Sequence, residues 1–503
     1  MAAALPLGIQ YLLDAGIFQS TRTDDVIEPI HAPEPADDEL DEGDHKKANW
    51  GIPDDSLHSI AGMAPMLGVV GSLLPSAPSL RVVNPVPVPH TQPSIFWKAF
   101  GLTLKTIFTN EANLSESGSA LFCAPPNQAG IISGRAFPDE VTNYQMHLYC
   151  DAMQRVGFPT FEVSGDSYFD YVNSYLQNVD ETGAAADVGR ARQELVDAEV
   201  AKDRAWQAGS KTFLDHVAKK DDIGQHSFVD YMKQNDEYRN ACDAEMAAEK
   251  DFAETRGSKL SSASLQLQVL RLADYRLERQ AGNNMPVIAI DQGDKWIELF
   301  TANPDKDKET NFDRNLIYYR PFYSIPNYAL EVQYWIQGAA ASPTDDENGL
   351  YTVPLAGIWD RSWSELGHPA LDMAKPYVAL TPEMKDFINS LDVTLRFVKR
   401  TFAGDVTRGL WDVPGLRGKF ELPSSAPESI KQPVCKTSRL FFAWGLEMMV
   451  KFPDALPDGA VKNLSISALG MPMKRVAGKP DSLVFTSENA GYPVLVGGIA
   501  DVV

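Results

Sequence analysis

A group of basic side chains near position 400 stands out as able to bind anions in an otherwise acidic sequence. Guanidinium and ammonium groups form charge-assisted hydrogen bonds with phosphates and carboxylates, so such a group favours contact with RNA or with an acidic protein segment. The alternative is an ordinary solvated face, and the residues alone leave both interpretations open. The candidate residues are Arg396, Lys399, Arg400, Arg408, Arg417 and Lys419.

The residue types that usually build enzymatic or metal sites are not found at the required spacings. None of the eight histidines stands four residues from another, as two zinc ligands on one helix would. The segment 415–419 resembles part of a phosphate-binding loop, but Phe420 follows where Ser or Thr is needed. No Gly-x-Ser-x-Gly nucleophile motif occurs. The sequence therefore predicts a protein that is not an enzyme, with no catalytic, cofactor-binding or metal-binding residues.

The charge balance of the chain is strongly acidic. Lys and Arg number 45 and Asp and Glu number 68, which gives a net charge of −23. Affinity for nucleic acid comes largely from neutralising phosphates, so this balance excludes tight, charge-driven wrapping of naked nucleic acid. The length of 503 residues predicts two or three folding units.

The cysteines and the apolar runs bear on the compartment. The four cysteines are widely separated and form no Cys-x-x-Cys pair, which indicates a reducing environment. No run reaches the roughly 18 uninterrupted apolar residues of a membrane span. Residues 60–74 come closest, but glycines and a proline interrupt them. We expect a cytoplasmic protein with no membrane partner.

The first ninety residues are predicted to form an N-terminal arm, acidic and proline-rich, that is extended or partly disordered. An apolar start at 1–18 is followed by a tract at 24–44 that holds ten acids and no Lys or Arg. Another apolar stretch follows at 60–74, before a run of prolines. A segment with apolar ends and a solvated middle is suited to reach a neighbouring subunit.

The rest of the chain predicts a fold that is mainly α with a smaller β-containing part. Apolar spacing predicts helices at 94–108 and 137–156, and residues 187–281 read as almost wholly helical. Thr381 as N-cap, with proline and glutamate after it, predicts another helix at 381–400. The loop-rich stretch 318–363 is crowded with tyrosine and tryptophan, which favours either a small β-rich core or subunit contacts.

Three short stretches resemble the coat proteins of partitiviruses, the small double-stranded RNA viruses of fungi and plants. They are Phe-Trp-Lys-Ala-Phe at 96–100, Ser-Gly-Arg-Ala-Phe-Pro at 133–138 and Tyr-Gln-Met-His-Leu-Tyr-Cys-Asp-Ala-Met at 144–153. The resemblance covers about residues 90–300. These coats have no short diagnostic motif, so no functional residue is carried over.

The resemblance implies a helix-rich viral shell domain plus a protruding domain. We would place the arm at 1–90, the helical shell domain at 91–290, a protruding aromatic insert at 291–380 and a second part of the shell at 381–503. Coat dimers would assemble into an icosahedral shell that encloses double-stranded RNA, held by weak contact, together with the viral polymerase. The protein would then be found in the virion and the host cytoplasm.

Two other classes of function fit the residues. One is a soluble cytosolic enzyme whose site is built from dispersed carboxylates and the aromatic stretch 318–363. The other is a helical scaffold or binding module that uses residues 187–281 as a partner surface. The size of the purified protein discriminates between them, because only a coat protein forms megadalton particles.

Overall fold

The structure is a computed structural model that describes part of the chain. The features predicted above that lie outside the described residues include the acidic tract 24–44, the apolar stretch 60–74 and Arg400. The described residues are 7–14, 18–20, 95–112, 119–123, 130–131, 133, 138–155, 167–179, 184–219, 227–257, 261–288, 316–336, 350–358, 360–362, 380–399, 401–456, 466–469, 471–475, 479–487 and 493–503.

The helices of the described residues are concentrated in the first 275 positions. In chain order they are α1 (Leu7–Asp14), α2 (Ile95–Ala112), α3 (Asp139–Asp151), α4 (Tyr168–Gln177), α5 (Ala185–Lys219), α6 (Phe228–Gln234), α7 (Asp236–Thr255), α8 (Ser262–Ala273), α9 (Tyr328–Ile336), α10 (Pro382–Asn389), α11 (Leu416–Lys419) and α12 (Glu428–Lys431).

The helices that amphipathic spacing predicted in the first half of the chain are confirmed. The segment predicted at 94–108 is α2, and residues 187–281 contain α5 to α8. Serine N-caps begin two of these helices: Ser227 and Ser261 each accept a hydrogen bond, at 3.0 Å, from the backbone N–H three residues on. The helix predicted at 137–156 is shorter than expected, because it ends at Asp151 and a strand follows.

The strands dominate the second half. In chain order they are β1 (Phe18–Ser20), β2 (Ser119–Cys123), β3 (Met153–Arg155), β4 (Asn284–Ile288), β5 (Ile317–Pro321), β6 (Tyr323–Ser324), β7 (Leu350–Thr352), β8 (Asp392–Phe397), β9 (Phe402–Asp405), β10 (Thr407–Arg408), β11 (Val434–Ala443), β12 (Leu446–Lys451), β13 (Ile466–Ala468), β14 (Met471–Arg475), β15 (Ser482–Thr486) and β16 (Val494–Val502).

The strands form two larger antiparallel sheets and two small pairs. The larger sheet has the order β1-β13-β14-β15-β12-β8-β7. The second has the order β2-β16-β11-β3, with β9 also paired to β11. β4 pairs with β5, and β6 with β10. The described part of the chain thus contains both helices and sheets.

The sheet built on β11 and β16 lies between two hydrophobic cores. Side chains alternate along β11, so that Leu440 and Phe442 belong to the first core while Phe441 and Ala443 belong to the second. The first core also takes in the inner faces of α3 to α8. The second contains α1, α2 and the inner face of the seven-stranded sheet. A strand buried on both faces reads as a continuous apolar run.

The prediction of one helix over 381–400 is wrong in its second half. Helix α10 ends at Asn389, and β8 follows after a two-residue turn. Val393, Leu395 and Phe397 are buried in β8 and alternate with outward-facing polar residues, which is the period of a strand. β8 pairs with β12 on one side and β7 on the other, and this long-range pairing overrides the local helical spacing.

The described parts of the predicted insert 291–380 pack into the two cores. In 316–336, Tyr318, Tyr323 and Trp335 are buried in the first core, which also contains α3 to α8 and is therefore larger than the small β-rich core of the first alternative. Val353 in 350–358 is buried in the second core. These two stretches therefore contribute large apolar side chains to the interior of the protein. The four-part division of the chain as a whole stays a prediction.

None of the described helices has the length and apolar character that crossing a lipid bilayer requires.

Two glycines give opposite predictions for the same substitution. In Gly498→Ala on β16, the new Cβ would lie 2.5 Å from both the carbonyl oxygen of Arg439 and the ring of Phe122. We expect the free energy of unfolding to fall by about 1–3 kcal/mol through overpacking. In Gly189→Ala on α5, the Cβ would meet nothing within 4 Å, and we expect a gain of about 0.5–1 kcal/mol from helix propensity. Chemical denaturation of both variants measures the two changes in the free energy of unfolding. Equal changes would contradict the close packing around Gly498 in the sheet between the cores.

Candidate functional site

The leader segment is defined here as the described residues 7–14 and 18–20, and its helix α1 packs into the second core. On α1, Ile9 and Leu12 stand three residues apart on one face and are fully buried there. The ring of Tyr11 meets Phe387 of α10 edge-on, with the centroids 5.8 Å apart. Residues 7–14 of the apolar start therefore form a docked helix, and the arm at 1–90 as a whole stays a prediction.

The leader also completes an edge of the larger sheet. β1 is the terminal strand, and its Phe18 pairs with Ala468 of β13 in antiparallel register. The contacts of the leader are thus of two general kinds: apolar burial and backbone hydrogen bonds at a sheet edge. Both kinds of contact hold the leader in place without a covalent bond. The leader of another copy can form the same contacts when it reaches the groove, which is the surface formed by α10, β13 and the second core.

Two of the candidate cations lie around the larger sheet. Arg396 on β8 forms a cross-strand ion pair with Glu447 of β12, with Nε 3.0 Å from Oε2. Lys399 follows β8, donates a hydrogen bond to the carbonyl of Trp335 and lies 5.6 Å from the ring centroid of Trp444. Both cations thus have partners within the fold.

Arg408 and Arg417 are half-buried and bind backbone carbonyls. The Arg408 guanidinium lies 5.0 Å from the ring centroid of Tyr168 and donates to the carbonyl of Thr437. Arg417 donates to the carbonyls of Ile430 and Lys431, at 3.1 and 2.9 Å, and so caps the end of α12.

Among the described candidate cations, the four with the contacts given above have different partners. Lys419 is exposed on α11, the helix that also carries Arg417. A contact of these residues with RNA or with an acidic arm stays a prediction.

A buried ionic cluster lies between the helices of the first core. Lys202 of α5 contacts Glu245 of α7, with Nζ 2.5 Å from Oε1, and Asp274 after α8 at 3.5 Å. Arg276 contacts Asp203 at 2.7 Å and Asp274 at 3.3 Å. These charges tie α5, α7 and the end of α8 together at fixed positions.

Neighbouring charges move the pKa values of Lys202 and Asp274 in the directions that favour their charged forms. Burial alone would lower the pKa of Lys202, but Glu245 and Asp274 outweigh burial and raise it above its ordinary value. Burial alone would raise the pKa of Asp274, but Arg276, Lys202 and Arg320 hold it well below the usual range. A buried pair of this kind is costly to break, because removing one partner leaves the other charged and without compensation.

Sequence reasoning missed this cluster, although one signal for it exists. Lys202 falls on the same helical stripe as the buried residues Leu195, Trp206 and Phe213, at spacings of seven, four and seven. A lysine on an inward stripe requires a buried anion. Glu245 and Asp274 could not be chosen among the 68 acids without the tertiary structure.

A buried histidine lies beside this cluster. His147 of α3 is 3% exposed, and its Nδ1 has no hydrogen-bond partner among the described residues. Burial lowers its pKa to about 3, with a further lowering from Arg320 and a smaller opposing effect of Asp151. Tyr323 packs against the imidazole, 5.6 Å between centroids, and donates its hydroxyl proton to a hydrogen bond with Asp151. The imidazole is therefore neutral in the folded protein.

In the described stretches, no group of three or more His, Cys, Asp or Glu side chains is disposed to hold a metal ion.

No family model matches the chain, and neither a curated protein nor a solved structure is significantly similar to it.

The buried cluster predicts a large effect at Lys202. We expect Lys202→Met to lower the free energy of unfolding by about 3–5 kcal/mol, because Glu245 would be left charged and buried. Lys211→Met, at an exposed position of the same helix, serves as the control and should change it by less than about 0.5 kcal/mol. Urea denaturation of both variants measures the difference. Equal, small effects would show that the cluster is solvated.

The buried histidine predicts a pH dependence of stability. Its folded pKa of about 3 lies below the ordinary value of 6.5, so only the unfolded chain gains a proton between these values. The stability of the wild type should fall as the pH falls from 6.5 towards 3, and His147→Gln should lack this contribution. The stability difference between the two should change by about 1.4 kcal/mol per pH unit in that window. A constant difference from pH 7 to pH 4 would contradict the burial of a neutral imidazole.

Proposed function

We propose that this chain is a structural coat protein that assembles, through dimers, into an icosahedral shell around a double-stranded RNA genome. The observation that carries the proposal is the docked leader. The leader consists of a short helix with two side chains buried in the second core and a three-residue strand at a sheet edge. Along the chain, residues 21–94 separate it from the next described residue. An element attached in this way is suited to exchange between copies.

The length of the connection makes exchange between neighbours physically accessible. A chain of that many residues spans up to roughly 240 Å when extended and roughly 50 Å on average as a flexible coil. The groove of a second copy offers contacts identical to those of the chain's own groove. Exchange of the leader therefore costs little energy and links two subunits.

The resemblance to partitivirus coat proteins supports the same proposal. Of the stretches that carry it, 96–100 lies on α2 and all but the last two residues of 144–153 lie on α3. Their side chains include Phe96, Phe100 and Tyr144 in the cores. In this proposal the helix-rich shell domain is formed by 91–290 and 381–503, and parts of 291–380 protrude. The proposal also includes that the shell is mainly α-helical, with a smaller β-containing part.

The acidity of the chain is compatible with a shell that holds its genome loosely. A net charge of −23 does not neutralise phosphates, so duplex RNA would be enclosed by weak contact. A polymerase enclosed with the RNA could then move its template. The protein in this proposal acts in the virion and in the host cytoplasm, with copies of itself as its main partner.

The proposal predicts large closed particles. The full chain, expressed alone, should sediment as megadalton species and appear as round shells in negative-stain electron microscopy. A preparation that stays monomeric or dimeric at all salt concentrations would contradict the proposal and favour an enzyme or a binding module.

The leader provides the sharper variant. We expect the double change Ile9→Glu and Leu12→Glu to abolish particles while the body keeps its circular dichroism spectrum, because the two fully buried positions cannot accept a charge. Leu7→Glu is the matched control, since Leu7 is 66% exposed on the same helix, and it should assemble like the wild type. Normal particles from the double variant would show that the leader is not an assembly element.

A further inference from the structure

Helix α8 presents leucines on both of its faces. Its inner face packs Leu267 and Leu270 into the first core, as expected for a surface helix. Its outer face carries Leu265 and Leu272, which are 46% and 45% exposed. They stand seven residues apart, which is two helical turns or about 10.5 Å, and within roughly 20° of each other around the axis. Half-buried Val269 lies between them.

This outer face is free of acidic residues in a strongly acidic protein. No Asp or Glu occurs in the twelve residues of α8, and its one cation, Arg271, is paired with Glu249 of α7 at 2.5 Å. Two copies that each carry a net charge of −23 repel each other over most of their surfaces. An uncharged apolar stripe is where two such copies approach at the least electrostatic cost.

The stripe is also complementary to itself. Leu265 and Leu272 are equidistant from its centre, which falls between Gln268 and Val269. A two-fold axis through that centre sets α8 against α8 in antiparallel orientation and brings Leu265 of each copy onto Leu272 of the other. A closed two-fold interface requires this reciprocity.

Further exposed apolar side chains lie near both ends of the stripe. At its first half, Gln266 donates to the carbonyl of Trp411 at 3.0 Å, which places exposed Leu410 nearby. At its other end, the Arg271–Glu249 pair brings α7 alongside, with exposed Met246 on α7 and exposed Tyr275 just after α8.

We infer that the outer face of α8 is a two-fold contact between copies of this chain, with Leu265 of each copy packed on Leu272 of the other. The inference rests on the proposed assembly function and names one of its contacts. The leader joins subunits by exchange of a segment, whereas α8 joins them face to face.

A charge-swap series tests the contact in the full-length chain. In a buffer that dissociates particles into dimers and monomers, sedimentation equilibrium should show that Leu265→Lys and Leu272→Glu each weaken the association of two copies by about tenfold or more. The double variant places lysine opposite glutamate twice, and it should recover the association to within a few-fold of the wild type. Leu330→Glu, at a leucine of α9 that is equally exposed (45%), is the control and should leave the association unchanged.

Two results would overturn the inference: single variants that associate like the wild type, or a double variant no stronger than the singles. Electron microscopy of the same preparations separates this inference from the proposed function. If both single variants associate like the wild type and all three chains form particles, the coat function is supported and the α8 contact is not. Dimers that obey the charge-swap pattern but never form particles would support the α8 contact and remove the coat function.

Discussion

The double-sided burial of β11 and β16 is the constraint on which the rest of the fold depends. Leu440 and Phe442 fill the first core and Phe441 and Ala443 fill the second, so neither core is complete without the same two strands. Gly498 meets a carbonyl of β11 and the ring of Phe122 from β2, which explains why this sheet has no room for larger side chains there. The helices of the first half and the strands of the second are thereby coupled through one sheet, and the loss of either core destabilises the other.

The two cores are held by different kinds of contact, and in the proposed assembly only the leader of the second core exchanges between copies. In the first core, α5, α7 and α8 are fixed by the buried charges of Lys202, Glu245, Asp274 and Arg276, whose pairing allows few alternative positions. In the second core, α1 is held by apolar contacts and β1 by the edge of a sheet. Apolar contacts and edge pairing form equally well with a segment from another copy, whereas the ionic cluster requires its own three helices.

Local patterns predicted the helices well because the information lies within each segment. Residues 187–281 could be read from composition, spacing and the absence of proline, and the structure confirms helices there. β8 could not be read in this way, since Leu391 and Leu395 fit a helical stripe as well as Val393, Leu395 and Phe397 fit a strand, and only the pairing with β12 decides. The ionic cluster was hidden for the same reason: Lys202 and Glu245 are 43 positions apart, and no local rule selects the partner. The candidate cations were recognised as a group in sequence, but Arg396, Lys399, Arg408 and Arg417 each have different partners in the fold, which no local pattern reveals.

Trapping the leader on a neighbouring copy tests the central claim of this account most directly. Tyr11 and Phe387 touch across the groove, so cysteine can replace Tyr11 in one preparation and Phe387 in another. The two chains are then mixed under dissociating conditions, allowed to reassemble and treated with a short bis-maleimide linker. Exchange of the leader predicts a covalent dimer on a denaturing gel that requires both variants and is absent when either is treated alone. If the mixture gives no such dimer, while a single chain carrying both cysteines is linked internally, each leader stays on its own body and the account is contradicted.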